Sequence, residues 1–146
     1  MGLEPLGVFS AAVNESLLQS HEGTIHVFPA RKGDAAFTLY AIGGTKVSSE
    51  LREGTPCFIA LENTGGRARV ANPWETATVC TCHGDPLRTT DARVIELDFS
   101  EGESYVLLPG DADWSSLACV PEHPRPNEAP RLSRNGIAML GLPRMF

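Results

Sequence analysis

Cys80-Thr81-Cys82-His83 is the densest patch of potential chemistry in the chain. On a strand, Cys80 and Cys82 point to one face, so two thiolates could reach a single metal ion beside the imidazole. A structural zinc site needs four ligands, and the usual paired CxxC knuckle is absent. Two buried thiols packing as small hydrophobes fit this spacing better, so neither a metal nor a cofactor is expected. A cysteine nucleophile served by His21, His26, His83 or His123 finds no local signature around it. Ser10, Ser16 and Ser20 sit outside any G-x-S-x-G elbow, and Gly43-Gly44 and Gly65-Gly66 lack the strand-to-helix context of a phosphate loop. A pair of carboxylates at a fixed separation can hydrolyse a glycoside. However, Glu22, Glu62, Glu75, Asp98, Glu101, Asp111 and Asp113 fall in turns or near strand ends, where a solvated acid is the default. No catalytic residue is assigned.

Three side chains remain as candidates for contact with a substrate. His21 stands beside Glu22 where a helical pattern gives way to a strand, and a joint between packing units often lines a cleft. A histidine at the C-terminal end of a helix explains the same position. Trp74 and Trp114 lie beside loop residues, where an indole can stack on a sugar ring or sit half-buried at the edge of a sheet.

These residues need positioning, and the periodicity shows by what. Phe9, Val13 and Leu17, flanked by Ala12 and Leu18, recur at helical spacing, with Ser10 as N-cap and a stop near Ser20. Met1 to Gly7, with Gly2 and Pro5, reads as an incoming connection, and Gly23 turns the chain. Strands follow at Thr24 to Pro29, Ala36 to Ile42 and Thr45 to Arg52. A tight hairpin at Glu53-Gly54 leads into Pro56 to Glu62. Arg67 to Ala71, Ala77 to Cys82, Val94 to Phe99 and Tyr105 to Leu108 complete the series, with His83 to Arg93 as a polar loop. The expected fold is mainly β: an antiparallel two-sheet β-sandwich preceded by one short N-terminal α-helix. Residues 1–22 form the connection and helix and residues 23–146 the sandwich domain. Within the latter, residues 120–131, with four prolines, form a strap, and Ile137 to Leu142 return as a last strand.

Bulk properties exclude several classes. The 146 residues favour one domain with a substantial core, and 42% hydrophobic with 21% charged residues is ordinary for a globular protein. A net charge of -6 with no basic run argues against nucleic acid, and no apolar stretch is long enough to span a membrane. MGLEPLGVF lacks the basic and apolar regions of a signal peptide, so a cytoplasmic setting with reduced thiols is expected.

Asn14 to Ala30, NESLLQSHEGTIHVFPA, resembles the segment of glycoside hydrolase family 95 that leads out of the catalytic helical barrel. The likeness continues through FTLYAIGGTKVS, RVANPW, YVLLPG and the terminal GLPRMF, in the right order along nearly the whole chain. This implies the C-terminal region of an alpha-L-fucosidase-like enzyme: a last barrel helix followed by an accessory β-sandwich. The barrel of paired helices that precedes this region in the family carries the general acid. The family's catalytic Asp stretch has no match at Glu4 to Gly7, so no catalytic role carries over. The implied partner is a catalytic helical-barrel domain or chain, with self-association through the N-terminal helix as the alternative. Leu17, Leu18 and the His21 turn would face the join. A free-standing carbohydrate-binding module using Trp74, Trp114 or Tyr40 is the competing expectation.

Overall fold

A computed structural model of the chain describes residues 4–63, 65–110, 112, 114, 133–134 and 137–138. It divides into two units, Met1–Trp114 and Ser115–Phe146. The first holds one helix, α1 (Glu4–Leu17), and the strands β1 (Leu18–Gln19), β2 (His26–Val27), β3 (Ala35–Tyr40), β4 (Lys46–Arg52), β5 (Thr55–Glu62), β6 (Gly66–Ala71), β7 (Ala77–Thr81), β8 (Pro86–Thr90), β9 (Val94–Phe99) and β10 (Ser104–Pro109). The architecture is the expected one, mainly antiparallel β preceded by a helix. In the second unit β11 (Ser133–Arg134) pairs antiparallel with β12 (Ile137–Ala138), placing Ser133 opposite Ala138. The proline-rich stretch 120–131 and most of the apolar C-terminal run lie outside the described residues.

Helix α1 starts earlier than its periodicity suggests. Pro5 does not block it, because the first turn has no use for the missing N–H. Ser10 is therefore inside the helix, not its cap, and its hydroxyl donates to the Gly7 carbonyl at 3.0 Å. The helix also ends sooner, at Leu17, because the next two residues are drawn into a ladder: Leu18 pairs with Val27 and Gln19 with His26. The Phe28 N–H donates to the Leu17 carbonyl at 2.7 Å and clamps the helix end to the strand that follows. Phe28 adopts φ 51°, an uncommon conformation for a bulky residue, and its buried ring packs edge-on against Phe37 with centroids 5.0 Å apart. Leu18, expected to face a partner, instead belongs to the sandwich interior at 7% exposure.

The sandwich is built from two layers. One is a six-stranded sheet in the order β3-β4-β5-β10-β7-β8, with every neighbour antiparallel. The other is the pair β6-β9, extended by Ile25, which bridges Val70 in parallel and exchanges hydrogen bonds with Arg69 and Ala71. Alternation places the interior side chains. Val47, Leu51, Ile59, Leu61, Val79 and Leu107 come from the larger sheet, and Ala68, Val70, Ile95, Leu97 and Phe99 from the smaller. The larger sheet also carries buried side chains on its other face, where Phe58, Cys80 and Leu108 lie.

The β4–β5 hairpin turns on Glu53 and Gly54, both at positive φ, the pattern of a two-residue turn that suits strand twist. A bulge after Glu50 then leaves Cys57 without an opposite partner. The strand β8 is a correction to the expected polar loop. It forms the outer edge of the six-stranded sheet, with four of its five residues exposed, so it has no hydrophobic alternation to betray it. Pro86 is acceptable there because it opens an edge strand. Among the described residues no helix is long and apolar enough to cross a membrane.

Leu107 is fully buried and β10 pairs on both sides, whereas Leu87 is 55% exposed on β8. Leu107→Ala is expected to cost about 2–5 kcal/mol of unfolding free energy and Leu87→Ala less than about 0.5 kcal/mol. Urea titration followed by circular dichroism measures both.

Candidate functional site

One end of the sandwich gathers several adjoining clefts among the described residues. It is assembled from three connections: the β1–β2 turn at Ser20 to Gly23, the β3–β4 turn at Ala41 to Thr45, and the residues joining β9 to β10. Each turn is fixed by short-range bonds. Gly23 N–H donates to Ser20 O at 3.2 Å, and Gly44 N–H and Ala41 N–H close the β3–β4 turn at 3.1 and 2.8 Å. The Ile42 N–H donates to the Ser20 hydroxyl at 2.9 Å and so ties the first two turns together.

His21 lies exposed in the first of these turns and lines three adjoining clefts. It stands four residues beyond the end of α1, too far along the chain to cap it. The roomiest of the clefts, about 400 Å³, is walled by His21, Ile25, Ile42, Thr45, Arg67 and Arg69, among others. Its two arginines are engaged with acids on β9. Arg67 meets Asp98 at 2.8 Å and Glu96 at 3.9 Å, and Arg69 meets Glu96 at 3.4 Å. The bond to Asp98 and its charge hold the Arg67 guanidinium even more firmly protonated than usual. All four side chains remain well exposed, so they form a solvated ladder that leaves little net charge in the cleft.

Next to it, strand register lays a polar row across the outer face of the large sheet. Tyr40 pairs with Lys46, Lys46 with Glu62, and Glu62 with Ser104. The Lys46 ammonium contacts both carboxylate oxygens of Glu62, at 3.0 and 3.1 Å. With Asn63, Gly102 and Glu103 this row borders a cleft of about 270 Å³. Glu103 accepts the Ser100 N–H at 2.6 Å, a bond that favours the ionised form and holds its carboxyl below the ordinary glutamate range.

The two tryptophans sit elsewhere. Trp74 is half-buried against the core, with its indole N–H donating to the Pro56 carbonyl at 2.9 Å and its backbone N–H to Asn72. Trp114, also half-buried, lies across Gly84 in the β7–β8 turn. The clefts lined by His21 contain neither indole. The three candidates are therefore not gathered into one site, and both indoles already serve packing. The aromatic side chain with the most free surface here is Tyr40, at 72% exposure.

The thiols also separate. The strand β7 stops at Thr81, so Cys82 is exposed in the turn while Cys80 is buried, and the shared-face geometry for a metal does not form. Among the described residues no group of three or more metal-ligating side chains comes together. Burial, reinforced by Asp85, pushes the Cys80 thiol above its usual range, and burial with Glu50 does the same for Cys57.

No protein-family model matches this chain, and no curated protein matches it either. Among solved structures it is similar to a GH127 β-L-arabinofuranosidase from Geobacillus stearothermophilus T6, at 13% identity and a TM-score of 0.41. The likeness covers 67% of this chain and 17% of that one, so this chain spans about a sixth of that protein's length.

Two measurements check this placement of residues. A Cβ on Gly84 would stand 2.5 Å from the Trp114 indole, at a backbone φ of 92°. Gly84→Ala should therefore cost about 2 kcal/mol or more, and the Gly84→Ala/Trp114→Ala pair less than the sum of the single changes. Iodoacetamide at neutral pH should label Cys82 quickly and leave Cys57 and Cys80 largely unreacted until denaturant is added, with peptide mass mapping reading each cysteine separately.

Proposed function

We propose that this chain is an accessory C-terminal β-sandwich domain of a glycoside hydrolase resembling family 95, with no active site of its own. It packs through α1 on a catalytic helical barrel, and its parent is alpha-L-fucosidase-like. The observation that carries this reading is the state of α1. Its apolar positions Phe9, Val13 and Leu17 repeat every four residues on one stripe, as a helix made to be covered would have them. Only Leu17 is packed on the sandwich, while Val13 is 39% exposed and Phe9 70%. Val8 adds a further 70% exposed side chain. A helix of this length gains little stability alone, and its own domain covers only its last turn.

The motif NESLLQSHEGTIHVFPA supports the same reading, because it spans the end of α1 and the hairpin that fixes it to the sandwich. On this view the β1–β2 hairpin is the joint, Leu18 its anchor on the sandwich side, and the stripe from Leu17 to Phe9 its face toward the barrel.

Light scattering and a hydrophobic dye test the proposal together. The purified chain should bind the dye or self-associate, and Phe9→Glu/Val13→Glu should abolish that without changing the circular dichroism spectrum. Nitrophenyl α-L-fucoside and β-D-galactoside should not be hydrolysed. A clean monomer that binds no dye, or measurable turnover by this chain alone, would overturn it. A helical-barrel reading frame adjoining the gene would identify the partner, and self-association alone would favour a second copy.

A further inference from the structure

The polar row on the large sheet lies outside the core, with Tyr40 also bordering a cleft shared with Asn14 and Glu15 of α1. Tyr40 is 72% exposed on strand β3 and stands beside the Lys46–Glu62 ion pair, whose ammonium is mostly covered and whose carboxylate is half exposed. One strand spacing, about 4.8 Å, separates Tyr40 from Lys46, and another separates Lys46 from Glu62. The three side chains thus follow one another in a cross-strand row and border one cleft.

We propose that this cleft binds a neutral β-linked hexopyranose residue, with Tyr40 as the stacking platform and Lys46 and Glu62 as the groups that hold its hydroxyls. Three features argue for that chemistry. The first is the platform: a flat aromatic face complements the apolar C–H face of a β-gluco- or β-galactopyranose, and covering it removes apolar surface from water. The second is the ion pair. The ammonium spends two of its three donors on Glu62, and each carboxylate oxygen keeps a free lone pair. One donor and two acceptors thus stand side by side, the pattern that adjacent sugar hydroxyls require. Asn63 adds an amide already oriented by its 2.9 Å bond to Thr45.

The third feature is charge. Lys46 and Glu62 cancel, and Glu103, ionised beside Ser100, leaves the cleft with a net negative charge. A sugar carrying a carboxylate is repelled and a neutral one is not. The volume of about 270 Å³ suits one sugar ring, with the rest of an oligosaccharide running out over the open end. This inference does not depend on α1 having a partner, and the two tests use different residues, so each can fail alone.

The test is a heteronuclear NMR titration of the full chain with cellotriose, β-1,4-galactotriose and trigalacturonate. Amide shifts are expected with at least one neutral trisaccharide, confined to residues around Tyr40, Lys46, Asn63 and Gly102, and not with trigalacturonate. Tyr40→Ala should weaken binding about tenfold or more, while Tyr40→Phe, which keeps the ring, should stay within about twofold. Glu62→Gln, which keeps the shape but breaks the ion pair, should also weaken binding. The spectrum of each variant reports its folding directly. No localised shift with either neutral sugar, equal affinity for the uronate, or binding indifferent to both Tyr40→Ala and Glu62→Gln would overturn the proposal.

Discussion

The fold depends on β10 being gripped from both sides. It lies between β5 and β7, pairing Leu107 with Ile59 on one flank and Val79 on the other. All three side chains are essentially inaccessible to water. Without β10 the larger sheet would be two separate pieces, β3-β4-β5 and β7-β8, neither wide enough to cover the β6–β9 layer. The chain crosses to that layer after β5, returns for β7 and β8, crosses again for β9, and only then fills the central place. Interior burial therefore becomes cooperative around residues far apart in sequence, which gives the long-range contacts of a β-sandwich their energetic weight.

Much of this was legible in the sequence, for a physical reason. Strands with one face in the core and one outside must alternate, and β4 and β9 do so plainly. The edge strand β8 has no such obligation and was invisible for that reason. The start of α1 was misjudged because Gly2 and Pro5 read as breakers, although a proline in a first turn costs a helix little. The polar row was hidden by a single residue. The two-residue turn at Glu53-Gly54 would by itself set Lys46 opposite Leu61, and only the bulge at Cys57 shifts the register so that Lys46 meets Glu62. That slip also brings Val47 and Leu61 together in the core, so burial selects it, and no local pattern announces it.

The candidate residues fared according to how much surface they had to spare. An indole is large enough that a domain of this size tends to use it for packing, and here the Trp74 N–H has found a carbonyl while Trp114 has found a glycine. His21 escaped because a turn holds it at the surface. Lys46 drew no notice in the sequence and Glu62 read as one more solvated acid, as charged residues near strand ends are commonplace. What sets them apart is register, which fixes both beside an uncovered tyrosine.

The clamp between α1 and the hairpin after it has a mechanical side. Phe9 stands eight residues before Leu17, a reach of about 12 Å at helical rise. Among the described residues the helix is held at its C-terminal end, by the Phe28 N–H on Leu17 and the short ladder of Leu18 with Val27. It is a lever with its fulcrum in a two-residue strand pair, and any tilt there is magnified along the arm. The unusual backbone of Phe28, locked by its ring against Phe37, stiffens that fulcrum and so sets the angle at which the whole arm is presented.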